Sequence, residues 1–258
     1  MRINPTIWLN HFEYHAQHRH ARLPDFGPVK ALSDAERTRI AGSIAIFQLG
    51  EQSDGTFLLR AARRHAQKTH TPEIVRLMQL FVAEEQSHAA LLGNFMDRHG
   101  IARKRSDWTD DVFRSVRRLA GFELHLTVLL TAELIGKVYY RALEAATANR
   151  ELRALCRALV ADELAHIGFE SDLLIGMRER KSRISRQWIQ HAHRAFLQSA
   201  AVIVWLTHRL VLAEAGYTLR TFLSACAAQY AFYLDAPPHS AAGARLRGGA
   251  GECAGGRP

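Results

Sequence analysis

Two octapeptides of the chain have nearly the same order of residue types, FVAEEQSH at 81–88 and LVADELAH at 159–166. Each contains a Glu followed three residues later by a His. An α-helix places such a pair on one face, about 5–6 Å apart at Cβ, where both side chains can bind one metal ion. The repeat therefore predicts two helices that bring their metal-binding faces together. Its four residues are Glu85, His88, Glu163 and His166.

The hydrophobic pattern predicts an all-α protein. Apolar residues recur at helical spacing almost throughout the chain, and no segment alternates like a half-buried strand. Ser33 followed by Glu36 has the spacing of a capping box, which predicts a helix start there. The pattern leaves open whether the long predicted region that reaches residue 148 is interrupted near Gly121. The predicted helices cover about 4–22, 34–68, 71–99, a region reaching 148, then 150–178, a segment ending at 214, and 218–234.

Two further glutamates lie on apolar stretches of predicted helices. Glu51 ends the segment IAIFQLGE, and Glu133 ends the segment LLTAE. An ionised carboxylate on an apolar face is costly unless it is paired or bound to a metal, so both residues are candidate ligands. A structural salt bridge to one of the many Arg side chains is the alternative. The middle of the chain then looks like two related halves, each with one lone Glu and one Glu-x-x-His.

This order resembles that of the ferritin-like di-iron carboxylate proteins, which use one Glu from each of two helices and Glu-x-x-His from each of the other two. The resemblance covers about residues 38–175. It implies a ferritin-like four-helix bundle, here with an N-terminal helix and two additional C-terminal helices. We expect an N-terminal helix and connector at 1–33 and the di-metal bundle at 34–178. C-terminal helices that pack on the bundle are expected at 179–235, and a disordered tail at 236–258.

The resemblance implies a site for two iron ions, and manganese in one or both positions is the alternative. Carboxylate and imidazole ligands without thiolates suit either metal. Glu85 and Glu133 are the candidates for carboxylates that bridge the two ions. The six implied ligands are Glu51, Glu85, His88, Glu133, Glu163 and His166.

Residues next to the ligands have implied roles as well. In proteins of this kind, the acid before each ligand Glu hydrogen-bonds to the His of the opposite helix, which orients that imidazole. We therefore pair Asp162 with His88 and Glu84 with His166, and exposed helix acids are the alternative. Tyr140, seven residues after Glu133, is a candidate hydrogen-bonding or redox-active phenol, and core packing is its alternative.

At several positions the sequence differs from known subgroups of the superfamily, and these differences exclude some of them. Ferritins proper lack the second His, which here is His166, and rubrerythrins carry a Glu where this chain has Gly136. The radical Tyr of the ribonucleotide reductase small subunit corresponds to Leu92, and the extra His of the aminobenzoate N-oxygenases corresponds to Leu159. Aldehyde-deformylating oxygenases match in size and ligand set, but no further motif assigns the chain to them.

The charge and the cysteine content limit which partners and which cellular compartment the sequence predicts. The net charge is +9, but the basic residues are spread along helices without a nucleic-acid-binding motif, so we expect no nucleic-acid partner. Three scattered cysteines indicate neither a zinc ribbon nor a disulfide scaffold and favour the cytoplasm. The most apolar run, at 200–206, is too short to span a bilayer, so no membrane partner is expected.

The sequence thus predicts a di-iron oxidoreductase that activates dioxygen or peroxide and oxidises an unidentified small organic substrate. Its electron donor is unknown, and a homodimer is left open. A non-catalytic or ferroxidase-like metal-handling protein is the alternative function. His11 and His15, one turn apart near the N-terminus, have polar neighbours and are interpreted as surface or packing residues.

Overall fold

The computed structural model describes residues 5–18, 31–106 and 121–235, and all regular structure in these ranges is helical. The all-α class predicted from the sequence is therefore confirmed. The helices are α1 (Pro5–His18), α2 (Asp34–Glu51), α3 (Thr56–Thr69), α4 (Glu73–Arg98), α5 (Phe122–Ala145), α6 (Arg150–Glu179), α7 (Arg183–Glu214), α8 (Leu219–Tyr230) and a π-helical turn (Ala231–Asp235).

The single helix predicted over 34–68 is wrong, because the chain breaks between α2 and α3. Glu51 is the last residue of α2, and Gly55 precedes α3 with φ of +66°. A Cβ at Gly55 would lie 2.6 Å from the side chain of Val82, so both the backbone angle and the close approach require glycine. The segment EQSDGT at 51–56 contains no apolar residue and includes Asp54-Gly55, so a turn signal for this break was present in the sequence.

The helix starts follow local capping chemistry. The Ser33 hydroxyl accepts a hydrogen bond from the Glu36 amide at 3.3 Å, as the sequence predicts for the start of α2. The Glu36 carboxylate, however, accepts from the Thr147 hydroxyl at 2.6 Å and from the Ala148 amide at 2.8 Å. The same carboxylate also interacts with the Ser33 backbone amide, as the predicted capping box requires. It therefore ties the start of α2 both to its own cap and to the turn between α5 and α6.

Packing brings together the four helices that carry the candidate ligands. Helix α2 packs along α4, α5 packs along α6, and α4 contacts α6. Helix α1 lies on α4, whereas α7 covers α2 and α5 and contacts α8. Two buried apolar clusters flank the region where the ligands lie. One contains Phe81 and Leu134, and the other contains Leu92 and Leu159.

Helix α7 is unusual in its hydropathy. Its 32 residues include an 18-residue window with a mean hydropathy of 1.5, so by length and composition alone it could cross a membrane. About 33% of that window is buried within the described structure. The sequence analysis judged the apolar run at 200–206 too short, whereas the helix containing it is long enough. His208, with φ −114° and ψ 18°, bends α7 near its C-terminal end.

Some predictions lie outside the described residues. These are the tail at 236–258, the start of the helical region before Phe122, and most of the connector after α1. The division of the chain into four units stays a prediction.

Candidate metal centre

The two Glu-x-x-His pairs meet between α4 and α6. One ligand atom from each of the four side chains lies within 4.8 Å of the other three. The His166 Nδ1 atom is 3.0 Å from Glu85 Oε1, and the His88 Nδ1 atom is 3.5 Å from Glu163 Oε1. Each imidazole therefore faces the carboxylate of the opposite helix as well as its own. The four side chains are between 0 and 13% exposed.

Four atoms of this cluster make no hydrogen bond, although they approach one another within 3.0–3.5 Å. Buried polar atoms without a partner are uncommon, and each costs about 1–3 kcal/mol. Atoms that converge on one point without bonding to each other suit a cation held between them. The residues present therefore fit a metal site. The four atoms are Glu85 Oε1, His88 Nδ1, Glu163 Oε2 and His166 Nδ1.

The outward nitrogens of both imidazoles are held by carboxylates. His88 Nε2 lies 3.3 Å from Asp162 Oδ2, and His166 Nε2 lies 3.2 Å from Glu84 Oε2. These contacts join the same residues that the sequence analysis paired. An Nε2–H that donates to a carboxylate leaves the Nδ1 lone pair of a neutral imidazole directed into the cluster. The tautomer needed for metal binding is thus the one this arrangement favours.

The other two candidate ligands, Glu51 and Glu133, lie outside the four-residue cluster but line the same cavity. The Tyr140 hydroxyl donates to Glu51 Oε1 at 2.5 Å. Burial, together with the charges of Glu85 and Glu163, raises the pKa of Glu51 well above its usual value. Burial and the same two charges also raise the pKa of Glu133. Without a cation, burial and the neighbouring negative charges thus favour the protonated form of both carboxyls.

When no metal is bound, the two histidines supply positive charge that offsets the ionised carboxylates of the cluster. Burial lowers the pKa of His88, but its contacts with Asp162, Glu85 and Glu163 raise it well above its usual value overall. The pKa of His166 is raised for the same kind of reason. Burial opposes ionisation of Glu85, yet the two histidines hold its pKa below the usual range. Without a metal, these shifts favour protonated imidazoles beside an ionised Glu85, and a bound cation would take over the role of those protons.

The N-terminal helix completes the outer side of the site. His15 Nδ1 lies 3.1 Å from Glu84 Oε1, so Glu84 joins His15 to His166. Trp8 and Phe12 anchor α1 in the core, and the Phe12 ring stacks on His166 at 5.9 Å between centroids. The interpretation of His15 as a surface or packing residue was incomplete. Its partner is 69 positions away, and no local spacing indicates that contact.

Glu170 is a buried acid that the sequence analysis missed. It lies on α6, is 0% exposed, and neither of its carboxyl oxygens makes a hydrogen bond. Burial raises its pKa well above the usual value, while the nearby His166 lowers it. The available signal was its spacing, seven residues after Glu163 and four after His166, which places all three on one helix face.

A cavity of about 290 Å³ extends from the site toward α7. Its wall includes the carboxyl-bearing residues Glu51, Glu85, Glu133 and Glu163, and Tyr140 lies beside them. Most of the remaining wall is aliphatic or aromatic. The candidate ligands therefore border a space large enough for a small molecule.

Comparison of the chain with models of protein families, with curated proteins and with solved structures gave no match. The fold and the site by themselves define an all-helical protein with a buried Glu/His cluster that can hold a metal ion.

Proposed function

We propose that the chain is a ferritin-like di-metal protein that activates dioxygen or peroxide and oxidises a small organic substrate. The observation that carries the proposal is the set of four buried ligand atoms without hydrogen bonds, two from α4 and two from α6. The proposed ligands are the six residues implied by the resemblance, with Glu51 and Glu133 adding a carboxylate from α2 and from α5.

The donor set supports iron, with manganese in one or both positions as the alternative. Four carboxylates and two imidazoles suit these metals, and thiolate ligands are absent from the cluster. Cys156 and Cys226 are buried elsewhere, and burial raises the pKa of both thiols, so neither is a ready ligand. Two ferrous ions, when bound, supply the electrons that reduce dioxygen.

The surrounding residues have distinct tasks in this proposal. Asp162 and Glu84 orient the imidazoles through their Nε2 atoms. Tyr140 donates to Glu51 and so holds one carboxylate oxygen in place. The mostly apolar wall of the cavity lowers the polarity around the reacting groups, which strengthens electrostatic interactions there.

An enzyme is favoured over a metal-handling protein by the cavity. A protein that only binds or oxidises iron has no need of an apolar chamber beside its ligands. Here the chamber reaches four of the candidate carboxylates and is mostly apolar. A mostly apolar space with a few polar groups in its wall is typical of small-molecule sites. The alternative, a ferroxidase-like or non-catalytic metal-handling protein, is retained as the second candidate.

Anaerobic loading with Fe²⁺ followed by exposure to oxygen distinguishes these functions. The enzyme is expected to hold about two irons per chain before and after exposure, with an optical change that saturates at that ratio. Continued uptake of iron well beyond that ratio supports the metal-handling alternative. No optical change and no retained iron contradict both. His88→Ala is the loss-of-site variant, and His191→Ala is the control because His191 is exposed and bonds only to the Gln187 carbonyl in its own helix.

A further inference from the structure

The wall of the cavity is built mainly from hydrocarbon side chains of five helices. Phe47 comes from α2, Leu58 from α3, Phe81 from α4, Leu129 from α5 and Ile203 from α7. Apolar groups that enter such a space leave water at a gain of about 25 cal/mol per Å². The polar part of the wall consists of the candidate metal ligands together with residues such as Ser53 and Thr56.

The charged residues in the described part of the wall are all acids. They comprise four candidate ligands and Asp54, and no Lys or Arg belongs to this wall. The wall also includes two imidazoles, and each Nδ1 atom is engaged within the protein, that of His125 with the Gly121 carbonyl and that of His208 with the Ser43 hydroxyl. A carboxylate or phosphate on a substrate would therefore lack a permanently charged cation to bind it. An ammonium group would lose its hydration among apolar side chains and would compete with the metal ions for the ligand carboxylates, which is costly. The chemistry of the wall thus selects against ionised substrates of either sign.

Two glycines keep the cavity open. Both Gly50 and Gly136 belong to its wall. A Cβ added at Gly50 would have no atom within 4 Å, and one added at Gly136 would meet only Tyr140 Cε2, at 3.9 Å. Neither glycine is needed for close helix packing. A larger side chain at the buried Gly136 would instead extend into the cavity, whereas Gly50 is exposed and a larger side chain there would lie where the wall reaches solvent.

We infer that this cavity takes a neutral, mainly hydrocarbon substrate with on the order of ten non-hydrogen atoms, since its 290 Å³ equals about ten waters at roughly 30 Å³ each. The inference rests on the proposed function, because it assigns the substrate class of the same site. The oxidisable carbon lies at the carboxylate end of the cavity, and the remainder of the molecule packs against the aromatic and aliphatic wall.

The test compares three linear probes of equal chain length but different charge. The full-length chain as purified is titrated with 1-decanol, decanoate and decylammonium, and bound probe is measured by equilibrium dialysis. We expect decanol to bind one per chain, at least tenfold more tightly than either ion. Decanoate or decylammonium that binds as tightly as decanol overturns the inference, as does the absence of saturable decanol binding.

Variants that fill the cavity test whether decanol binds there. Gly136→Leu and Gly50→Leu are expected to weaken decanol binding at least tenfold. Gly42→Leu is the matched control, because Gly42 lies on α2 with Gly50, has an equally open Cβ position and is not part of the wall. If Gly136→Leu fails to fold, Gly136→Ala decides the result, because a methyl group at this buried position still removes volume from the cavity. Equal weakening in the control, or none in the cavity variants, overturns the assignment.

Iron content measured on the same samples separates this inference from the proposed function. Decanol binding without retained iron leaves the cavity assignment intact and contradicts the metal site. Retained iron without decanol binding contradicts only the substrate class.

Discussion

Replacing Glu84 by Gln changes the candidate metal site without touching a ligand. Glu84 is 8% exposed in its side chain and contacts His166 through one oxygen and His15 through the other. Gln keeps one acceptor oxygen for the His166 Nε2–H but loses the negative charge. The imidazole therefore stays in place, while its basicity at Nδ1 decreases and its orientation is less firmly held.

The expected loss of metal affinity depends on how many of the Glu84 contacts each substitution removes. Removal of a carboxylate that supports a ligand His costs about 10–100-fold in metal affinity, or about 1.4–2.7 kcal/mol. Glu84→Gln is expected near the lower bound because one hydrogen bond survives. Glu84→Ala is expected near the upper bound because both contacts are lost. Only the metal bound by His166 is affected, since His88 is supported by Asp162 instead.

The assay is an anaerobic titration of the metal-free chain with Fe²⁺ against a competing chromophoric chelator, which resolves two binding steps. One step is expected to weaken in the Glu84 variants while the other is unchanged. Glu144→Gln is the control, because Glu144 pairs with Arg157 at 3.5 Å rather than with a candidate ligand. Unchanged affinity in both Glu84 variants, or an equal loss in the control, refutes the reasoning.

Metal binding is expected to release up to about four protons, from the two ligand histidines and from Glu51 and Glu133, because all four pKa values are raised without metal. Affinity therefore increases as pH rises, and binding without proton release to a weakly buffered indicator contradicts these pKa directions. Tyr140→Phe is expected to cost about 1–3 kcal/mol in urea unfolding, because Glu51 loses its buried donor. Glu170→Leu is expected to raise the free energy of unfolding by about 1–3 kcal/mol, because it removes two buried oxygens without hydrogen bonds. A decrease in that unfolding experiment indicates that Glu170 is stabilised by a partner.

Local spacing accounts for what could be predicted from the sequence. The Glu-x-x-His pairs were recognisable because residues three apart share a helix face, and repetition indicated that two such faces meet. The contacts of Asp162 with His88 and Glu84 with His166 followed from a family resemblance rather than from spacing. The helical class followed from apolar periodicity, which persists through most of the described chain.

Contacts between distant segments could not be predicted in this way. His15 meets Glu84 because Trp8 and Phe12 anchor α1 against the bundle, which is a consequence of tertiary packing. The break after α2 had a local signal in the polar segment at 51–56, whereas the close approach of Val82 to Gly55 comes from a different helix. Glu170 had a helical spacing to the ligands, but its lack of a hydrogen-bond partner appears only in three dimensions.

The most direct test of the central claim is the iron content of the chain. The wild-type protein, loaded anaerobically with Fe²⁺ and freed of unbound metal, is expected to retain about two irons per chain. His88→Ala is expected to retain about one or fewer, because one Nδ1 ligand atom is removed from the cluster. The control His191→Ala is expected to retain as much iron as the wild type. Fewer than about one iron per wild-type chain, unchanged in His88→Ala, contradicts the account.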